Sequence, residues 1–432
     1  MIAWPYAAAY AAAYAAAAAA AEIAAHIPLP GDSKIVRSLR ARRGLLERYE
    51  AWGRTGRDDS RPLVWIHAPS VGEGLQARPV IELLRARRPN LQIAYTFFSP
   101  SAERFAASLG ADFTDYLPFD RAVNARRALA ALHPDALIFS KLDLWPELAH
   151  EASARGTKLG MISATLADGS RRRGGFARAL LREAYRALDT VGAIDASDAE
   201  RLAALGVHPE RIAVTGDTRY DQVASRAAAV DRSGALLAPL ASSRPTLVAG
   251  STWPADESVL LDAWLALRLA VPDARLIIAP HEPTDAHLRP LREWAKAWSL
   301  TLDTLDTASP SSDVILVDRM GVLGDLYALA DAAFVGGGFH GAGLHSVLEP
   351  AAFGAPVIFG PRHANSRDAA LLIACRGGES VHDRASLSQA LEVLFTEQDT
   401  RKQAGAAARA FVQSGLGAAE RSVALVMEIL KA

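Results

Sequence analysis

Residues 336–350, GGGFHGAGLHSVLEP, separate two apolar runs, residues 332–335 (AAFV) and residues 356–359 (PVIF). Short apolar runs of this kind are typical of buried strands in parallel sheets. A glycine-rich turn between a strand and a helix lets backbone amides approach an anion at the positive end of the helix. The stretch therefore predicts a strand, a tight turn and a helix, with a nucleotide phosphate as the expected ligand.

The same stretch supplies most of the predicted ligand contacts. His345 and Glu349 are four residues apart, so a helix beginning at the glycines would carry both on one face. A structural alternative is a strand–turn–helix link with a capping histidine, because the spacing G-x-G-x-x-G is present only loosely. The residues of this stretch that we expect to bind the nucleotide ligand are Gly336, Gly337, Gly338, His345, Ser346 and Glu349.

Composition limits the classes of protein to which the chain can belong. Its 432 residues suit two domains, and 50% hydrophobic residues indicate large cores. A formal net charge of -1 gives no overall attraction for nucleic acid. The single cysteine, Cys375, excludes an internal disulfide and fits a reducing compartment.

Apolar runs alternate with amphipathic stretches along both halves of the chain. We predict strands at 63–67, 92–97, 136–139, 158–162 and 190–194 in the first half, and at 246–249, 275–279, 314–317, 332–335 and 357–359 in the second. The pattern predicts an α/β chain with two Rossmann-like, doubly wound domains facing a cleft, the GT-B arrangement of glycosyltransferases. The predicted boundaries are 1–30 for an N-terminal helix, 31–225 for the first domain, 226–244 for a linker and 245–432 for the second domain.

The N-terminus resembles a membrane anchor in its length and lack of charge. Residues 1–21 are uncharged and mostly alanine, with Tyr6, Tyr10 and Tyr14 on one helical stripe. A basic amphipathic stretch follows at residues 34–48, which suits an anionic cytoplasmic leaflet. We expect either a membrane anchor or a soluble helix here, and a location on the cytoplasmic side of the inner membrane.

In the first half, polar residues follow the predicted strands. His67 ends the first strand and precedes Ser70, Gly72 and Glu73, where a carboxylate is placed to accept a proton or to complement a helix dipole. Lys141 follows the strand at 136–139. The basic run Arg171, Arg172 and Arg173 would suit an acceptor phosphate or form a solvated turn.

In the second half, phosphate contacts are expected from Ser251 and Thr252 at a helix start, from His281 after the next strand, and from Arg219 near the end of the first domain. The histidines do not have the spacing of a zinc site, so no metal and no cofactor are expected.

Several blocks, taken in order, resemble the Kdo transferase family, the GT-B enzymes that attach 3-deoxy-D-manno-oct-2-ulosonic acid (Kdo) to lipid A precursor. They are HAPSVGE at 67–73, ISATL at 162–166, GDTRYD at 216–221, GST at 250–252, the stretch at 336–350 and FGP at 359–361. The resemblance covers nearly the whole chain. It implies that Glu73 is the general base, that CMP-Kdo is the donor, and that a phosphorylated, acylated glucosamine disaccharide is the acceptor.

The chain departs from the family pattern at three places. His281-Glu282 stands where an Arg-His pair is common, Ser346 rather than asparagine follows His345, and Lys141 and Asp143 precede the Trp-Pro pair where glutamates are usual. Two other functions fit the same pattern, a transferase or epimerase that uses a UDP-sugar and a non-catalytic nucleotide-binding membrane protein.

Overall fold

The computed structural model describes residues 4–27, 30–167, 169, 170, 172 and 174–431. The chain forms two compact units. Unit 1 comprises residues 1–222 and 416–432, and unit 2 comprises residues 223–415. Each unit is built on its own seven-stranded parallel sheet. The α/β, doubly wound fold class predicted from the sequence is confirmed.

The first unit begins with three helices and then alternates strands and helices. Its elements are α1 Trp4–His26, α2 Lys34–Ala41, α3 Leu45–Thr55, β1 Leu63–His67, α4 Val71–Arg87, β2 Gln92–Phe97, α5 Glu103–Ala107, β3 Phe113–Tyr116, α6 Ala122–Leu132, β4 Ala136–Ser140, α7 Pro146–Ala154, β5 Lys158–Ala164, α8 Gly175–Arg186, β6 Thr190–Ala193, α9 Ala196–Leu205, β7 Ile212–Val214 and α10 Thr218–Ala229, which ends in unit 2.

The sheet of unit 1 has the order β3-β2-β1-β4-β5-β6-β7. β1 pairs in parallel with both β2 and β4, so the strand order reverses direction between β1 and β4. In open α/β sheets, ligands bind at the carboxyl ends of the strands at such a reversal. Residues that follow β1 and β4 are therefore placed at the expected site.

The second unit repeats this design with a modified order. Its elements are β8 Thr246–Thr252, α11 Pro254–Ala270, β9 Arg275–Pro280, α12 Asp285–Ala297, β10 Leu302–Thr304, β11 Val314–Leu316, α13 Leu323–Leu326, β12 Ala332–Val335, α14 Leu348–Phe353, β13 Val357–Phe359, α15 Arg367–Ala374, β14 Gly378–Ser380, α16 Arg384–Thr396 and α17 Gln398–Ser414. The strand order is β10-β11-β9-β8-β12-β13-β14, so the reversal lies between β8 and β12.

The last helix, α18 Ala418–Ile429, belongs to unit 1, whereas the sequence analysis groups it with the second domain. Val423 and Val426 are fully buried in the core of unit 1. The carboxylate of Asp221 accepts the backbone N–H groups of Gly417 and Ala419 at 2.8 and 3.0 Å. These contacts attach the end of the chain to unit 1.

The N-terminal helix α1 packs on unit 1. The hydroxyl of Tyr14 donates to Asp120 at 2.8 Å, and Glu22 pairs with Arg121. In the part of the chain that the structure describes, no helix has the length and apolarity needed to span a membrane.

The basic stretch after α1 has two different roles in the structure. Arg42 is buried against Phe98, and burial lowers its pKa to about 10. Arg43 donates to the carbonyl of Ala25 at 2.7 Å, and Arg48 pairs with Asp115 at 2.7 Å. Within the predicted basic stretch, Arg42 is therefore a buried structural residue, while Arg43 and Arg48 are exposed but bonded to groups of unit 1. The three basic residues of α2, Lys34, Arg37 and Arg40, are exposed as well.

Candidate functional site

Glu73 lies in the first turn of α4, at the strand-order reversal of unit 1. Ser70 precedes α4, and its hydroxyl donates to one carboxylate oxygen of Glu73. Lys141, directly after β4, places its ammonium 3.4 Å from the other oxygen. The Glu73 side chain is 19% exposed and that of Lys141 40% exposed. Both oxygens of the Glu73 carboxylate are therefore held by neighbouring side chains, and the group lies at the carboxyl ends of the strands.

Gly72 has no close neighbour that requires a glycine. It lies inside α4, and a Cβ at this position would meet only the Ser70 hydroxyl at 3.8 Å. The close approach occurs instead at Gly74, where a Cβ would lie 2.4 Å from the ring of Phe105. Because Gly74 has no side chain, α4 can pack closely against Phe105, and this packing positions Glu73.

A buried hydrogen-bond network fixes the loop that carries Lys141. His67 is fully buried, with Nδ1 3.0 Å from the Thr96 hydroxyl and Nε2 3.1 Å from Asp143. Trp145 Nε1 donates to the same carboxylate at 2.9 Å. Burial raises the pKa of Asp143, but the contacts with His67, Trp145 and Arg172 outweigh it and hold the pKa below its usual value. Asp143 is thus an ionised group that anchors the loop through its contacts with His67 and Trp145.

Lys141 has a left-handed backbone, with φ of 65°. This conformation costs a residue with a Cβ roughly 1–2 kcal/mol and is often found at functional sites. Of the predicted basic run, Arg172 lies 3.8 Å from Asp143 and donates to the carbonyl of Leu142. Arg171 and Arg173 lie outside the described residues.

In unit 2, the glycines after β12 allow close contact between backbones. A Cβ on Gly336 would lie 2.2 Å from the carbonyl oxygen of Ser251, and one on Gly338 would lie 2.4 Å from the amide of Gly360. Gly337 has φ of +92°. A larger residue at Gly336 or Gly338 would therefore displace the backbone at the end of a neighbouring strand.

The amides of this turn are held by Asp256 on α11. Its buried carboxylate accepts the N–H groups of Gly337 and Phe339 at 2.8 and 2.9 Å, and that of Trp253 at 2.9 Å. The amide of Gly336 donates to the carbonyl of Gly250 at 2.9 Å. The interpretation that the amides of Gly336 and Gly337 are free for phosphate is therefore wrong, because both already have protein acceptors.

His345 and Glu349 do not share a helical face. α14 begins at Leu348, and His345 lies in the irregular segment before it. Gly343 has φ of +88°, and the Asn365 side chain bonds both the N–H and the C=O of Leu344 at 3.0 Å. These contacts delay the start of the helix, so the predicted four-residue spacing on one face is wrong.

His345 instead belongs to a stack of four rings. Trp253 stacks on His340 and on His281, with centroid distances of 4.2 and 4.6 Å, and His281 stacks on His345 at 4.5 Å. Trp253 Nε1 donates to His345 Nε2 at 3.3 Å. Burial and the neighbouring His281 lower the pKa of His345. Four half-buried rings thus cover the ends of β8 and β9.

Glu349 points to a second group of charges. Its carboxylate is 3.8 Å from Arg226, which also pairs with Asp325 at 3.0 Å. Burial raises the pKa of Glu349, and the nearby Arg226 opposes that shift. Arg226 lies in α10, inside the stretch that the sequence analysis treats as a linker.

The remaining predicted residues have varied surroundings. Thr252 is buried and donates to Glu257 at 2.8 Å, while Ser251 is half-buried with φ of 55°. Ser346 is exposed. Arg219, in unit 1, forms an ion pair with Asp217 at 2.6 Å. Within the described residues, no group of three His, Cys, Asp or Glu side chains is arranged to hold a metal ion.

Comparison with known proteins identifies the family. Residues 13–222 match the family described as 3-deoxy-D-manno-octulosonic-acid transferase (kdotransferase). A 3-deoxy-D-manno-octulosonic acid transferase of Haemophilus influenzae is 30% identical over 92% of this chain and 93% of its own length. One of Bordetella pertussis is 31% identical over 86% of this chain and 89% of its own. The chain belongs to the Kdo transferase family.

Solved structures agree on the fold. A UDP-GlcNAc 2-epimerase of Neisseria meningitidis aligns with a TM-score of 0.63 at 14% identity, over 85% of this chain and 100% of its own. A glycosyltransferase of Rickettsia africae aligns with a TM-score of 0.56 at 13% identity, over 86% and 98%. At these identities the likeness concerns the two-domain, GT-B-like fold alone.

Three residues that hold the predicted site residues of this Kdo transferase family member in place were not predicted from the sequence. Asp256 is the third residue of α11, a position where an acidic side chain commonly caps a helix start, so its role as a cap was recognisable. Asn365 and Arg226 carry no local signal, because each acts on a segment distant in sequence. The site is therefore a product of tertiary contacts as much as of its motifs.

Proposed function

We propose that the chain is an inverting glycosyltransferase that moves Kdo from CMP-Kdo to a phosphorylated, acylated glucosamine disaccharide, the lipid A precursor. The observation that carries this proposal is the Glu73 carboxylate at the strand-order reversal of unit 1, with Ser70 and Lys141 on its two oxygens. Membership of the Kdo transferase family supports the sugar.

Glu73 acts as the general base. It takes the proton from the acceptor hydroxyl, the hydroxyl oxygen forms a bond to the anomeric carbon of Kdo, and the bond from that carbon to the CMP phosphate breaks. An aligned base of this kind contributes about a hundred- to ten-thousand-fold in rate. The Ser70 hydroxyl and Lys141 keep the carboxylate oriented, which limits the conformations that must be lost on reaching the transition state.

Lys141 and the arginines near residue 172 bind the acceptor. The acceptor carries phosphate, and a half-exposed ammonium beside the base is placed to attract it. The network of His67, Asp143 and Trp145 holds the Lys141 loop in its left-handed conformation. This rigid support keeps the acceptor contact and the base in one geometry.

The donor binds to unit 2, where charge develops on CMP as it leaves. We assign the phosphate contacts to Ser251, His281 and His345 at the ends of β8 and β9. Glu349 accepts hydrogen bonds from the ribose or the cytidine. The glycines at 336–338 support this donor site by close backbone packing.

We also propose peripheral association with the cytoplasmic face of the inner membrane. The exposed basic residues of α2 lie beside Ile35, which is 73% exposed, and near Ile23 and Ile27, which are 65% and 49% exposed. Apolar side chains next to exposed basic residues suit an anionic lipid surface. Such a surface would bring the base toward an acceptor that resides in the bilayer.

A matched pair of variants tests the base. Glu73→Gln removes the proton acceptor while keeping the shape, and we expect kcat to fall at least a hundred-fold with donor binding retained. Glu82→Gln changes an exposed glutamate of the same helix and is expected to keep the native rate. Transfer is measured by the mass of the lipid product with CMP-Kdo generated in situ. A Glu73→Gln enzyme that turns over near the native rate would refute the assignment.

A further inference from the structure

The guanidinium of Arg226 joins three groups of unit 2. Its Nε donates to the carboxylate of Asp325 at 3.0 Å, and its Nη2 donates to the carbonyl of Gly321 at 3.4 Å. The remaining nitrogen, Nη1, lies 3.8 Å from the carboxylate of Glu349. Each nitrogen of the planar fork thus has a different acceptor, so these contacts fix the orientation of the side chain.

Gly324 in α13 makes room for this guanidinium. A Cβ on Gly324 would lie 2.4 Å from Cζ of Arg226, a distance that nonbonded atoms do not reach. The side chain of Arg226 is 31% exposed, so most of it is withdrawn from water. The ion pairs of Arg226 are therefore part of its close packing against α13, unlike the contacts of two long side chains on an open surface.

Glu349 depends on this partner for its charge. Its side chain is 27% exposed, so a ligand can reach the carboxylate although most of the group is out of water. Burial raises the pKa of Glu349, Arg226 opposes that shift, and Asp325 adds to it. Without Arg226, burial and Asp325 would act together in favour of the neutral acid. An ionised carboxylate only accepts hydrogen bonds, whereas the neutral acid presents an O–H donor as well.

The other titratable groups around α14 leave this balance to Arg226 and Asp325. Tyr327, in the turn after α13, is buried, and burial raises its pKa well above the usual value, so its phenol is neutral. His345, which precedes α14, has a pKa lowered by burial. From α17, Arg409 donates to the carbonyl of Phe353, at the opposite end of α14 from Glu349.

We propose that Arg226 is a positioning residue of the donor site, which holds the Glu349 carboxylate as an ionised hydrogen-bond acceptor for the nucleoside part of the donor. This inference rests on the proposed function, because it takes Glu349 as a contact of the ribose or the cytidine. Arg226 acts through Glu349 and not on the nucleotide itself. Its removal weakens binding most at low pH, where Glu349 takes up a proton, and least at high pH.

The test measures nucleotide affinity by calorimetry with the full chain. The probe is the methyl diester of cytidine 5′-phosphate, because its single negative charge does not change between pH 6 and 9, whereas a phosphate monoester titrates near pH 6. Arg226→Gln should bind the diester about tenfold or more weakly than the native chain at pH 7, because a hydrogen bond to an ionised group is lost. The difference should shrink toward pH 9, by at most tenfold per pH unit for one proton.

Two further variants separate charge from shape. Arg226→Lys keeps the charge without the fork and should restore part of the affinity. Asp325→Asn removes a charge that favours the neutral acid, so it should move the pH dependence of binding to lower pH, the opposite direction from Arg226→Gln. Arg232→Gln, which changes an exposed arginine six residues after Arg226, is the control and should behave like the native chain.

A double-mutant cycle tests whether Arg226 acts through Glu349. Glu349→Gln cannot ionise, so adding Arg226→Gln to it should change the affinity by less than about twofold. Gly324→Ala keeps the charge of Arg226 but places a methyl group where its guanidinium lies, and the flexible end of the arginine moves rather than the backbone. It should weaken binding in the native chain and have little effect beside Glu349→Gln.

The outcomes separate this inference from the proposed function. An equal loss from Arg226→Gln with Glu349 or Gln at position 349 overturns the inference, because Arg226 would then act on the nucleotide or on the fold. A loss that is constant from pH 6 to 9 also overturns it. Native affinity in Glu349→Gln overturns the proposed role of Glu349 and this inference with it, and absence of diester binding by the native chain overturns the donor site. If Arg226→Gln does not fold, Arg226→Lys and Gly324→Ala still decide the matter.

Discussion

Replacing Asp256 by alanine should destabilise unit 2 more than any other single carboxylate replacement on α11. The side chain is fully buried and accepts the N–H groups of Trp253, Gly337 and Phe339. Each buried donor left without a partner costs about 1–3 kcal/mol, and partial relaxation reduces the sum, so the expected loss is about 3–6 kcal/mol. Asp256→Asn keeps one acceptor oxygen but turns an NH₂ group toward the donors, and we expect about half that loss.

Asp262→Ala is the matched control. Asp262 lies on the same helix, is exposed, and pairs only at 3.6 Å with the exposed Arg384. Exposed pairs of this kind contribute about 0–1 kcal/mol. The two aspartates therefore share a helix and a charge but differ in burial and in the groups they hold.

The assay must measure the unfolding of unit 2 separately, because a chain of two units need not unfold in one step. Pulse-labelling hydrogen exchange along a urea series reports the peptides of residues 223–415 separately. With a urea dependence of about 2 kcal/mol/M, the Asp256→Ala loss corresponds to a midpoint lower by roughly 1.5–3 M. Exchange at residues 336–347 should increase first. Equal midpoints for Asp256→Ala and Asp262→Ala would refute the reasoning.

Three further predictions follow from the contacts described above. Gly336→Ala places a Cβ 2.2 Å from a backbone oxygen and should abolish nucleotide binding or unfold unit 2 in a thermal scan, whereas Gly341→Ala, with 3.8 Å to the nearest atom, should change neither. Burial raises the pKa of Asp120 to about 6, so its folded form holds a proton that the unfolded chain releases near pH 4. Stability of unit 1 should therefore fall by about 1–3 kcal/mol as pH rises from 4 to 7, and urea unfolding of Asp120→Asn should lack this slope. Changing the three exposed basic residues of α2 to glutamine should weaken co-sedimentation with anionic vesicles about tenfold or more at low salt, and leave binding to neutral vesicles unchanged.

The sequence predicts central strands well and edge strands poorly. The ten predicted strands correspond to β1, β2, β4, β5, β6, β8, β9, β11, β12 and β13. The four that it misses, β3, β7, β10 and β14, are the edge strands of the two sheets. A central strand is buried on both faces and is therefore an uninterrupted apolar run, while an edge strand of three or four residues is partly exposed and has no such pattern.

The sequence predicts the site residues that directly follow a strand. It does not predict the contacts that join segments distant in the chain. Glu73 and Lys141 each follow a strand, so the parallel sheet brings them together. The position of His345 depends on Asn365, twenty residues later, which holds the turn before α14 open. The partnership of Glu349 with Arg226 crosses more than a hundred residues. Local spacing contains no information about such contacts.

The most direct test of the account is a transfer assay with the purified chain, tetraacylated lipid A precursor and CMP-Kdo generated in situ, with UDP-GlcNAc in a parallel reaction. The proposed function requires a lipid product heavier by the mass of one or more Kdo residues, with CMP released in equal amount and no product from UDP-GlcNAc. Turnover of UDP-GlcNAc with none of CMP-Kdo, by a chain that binds its nucleotide, would contradict it.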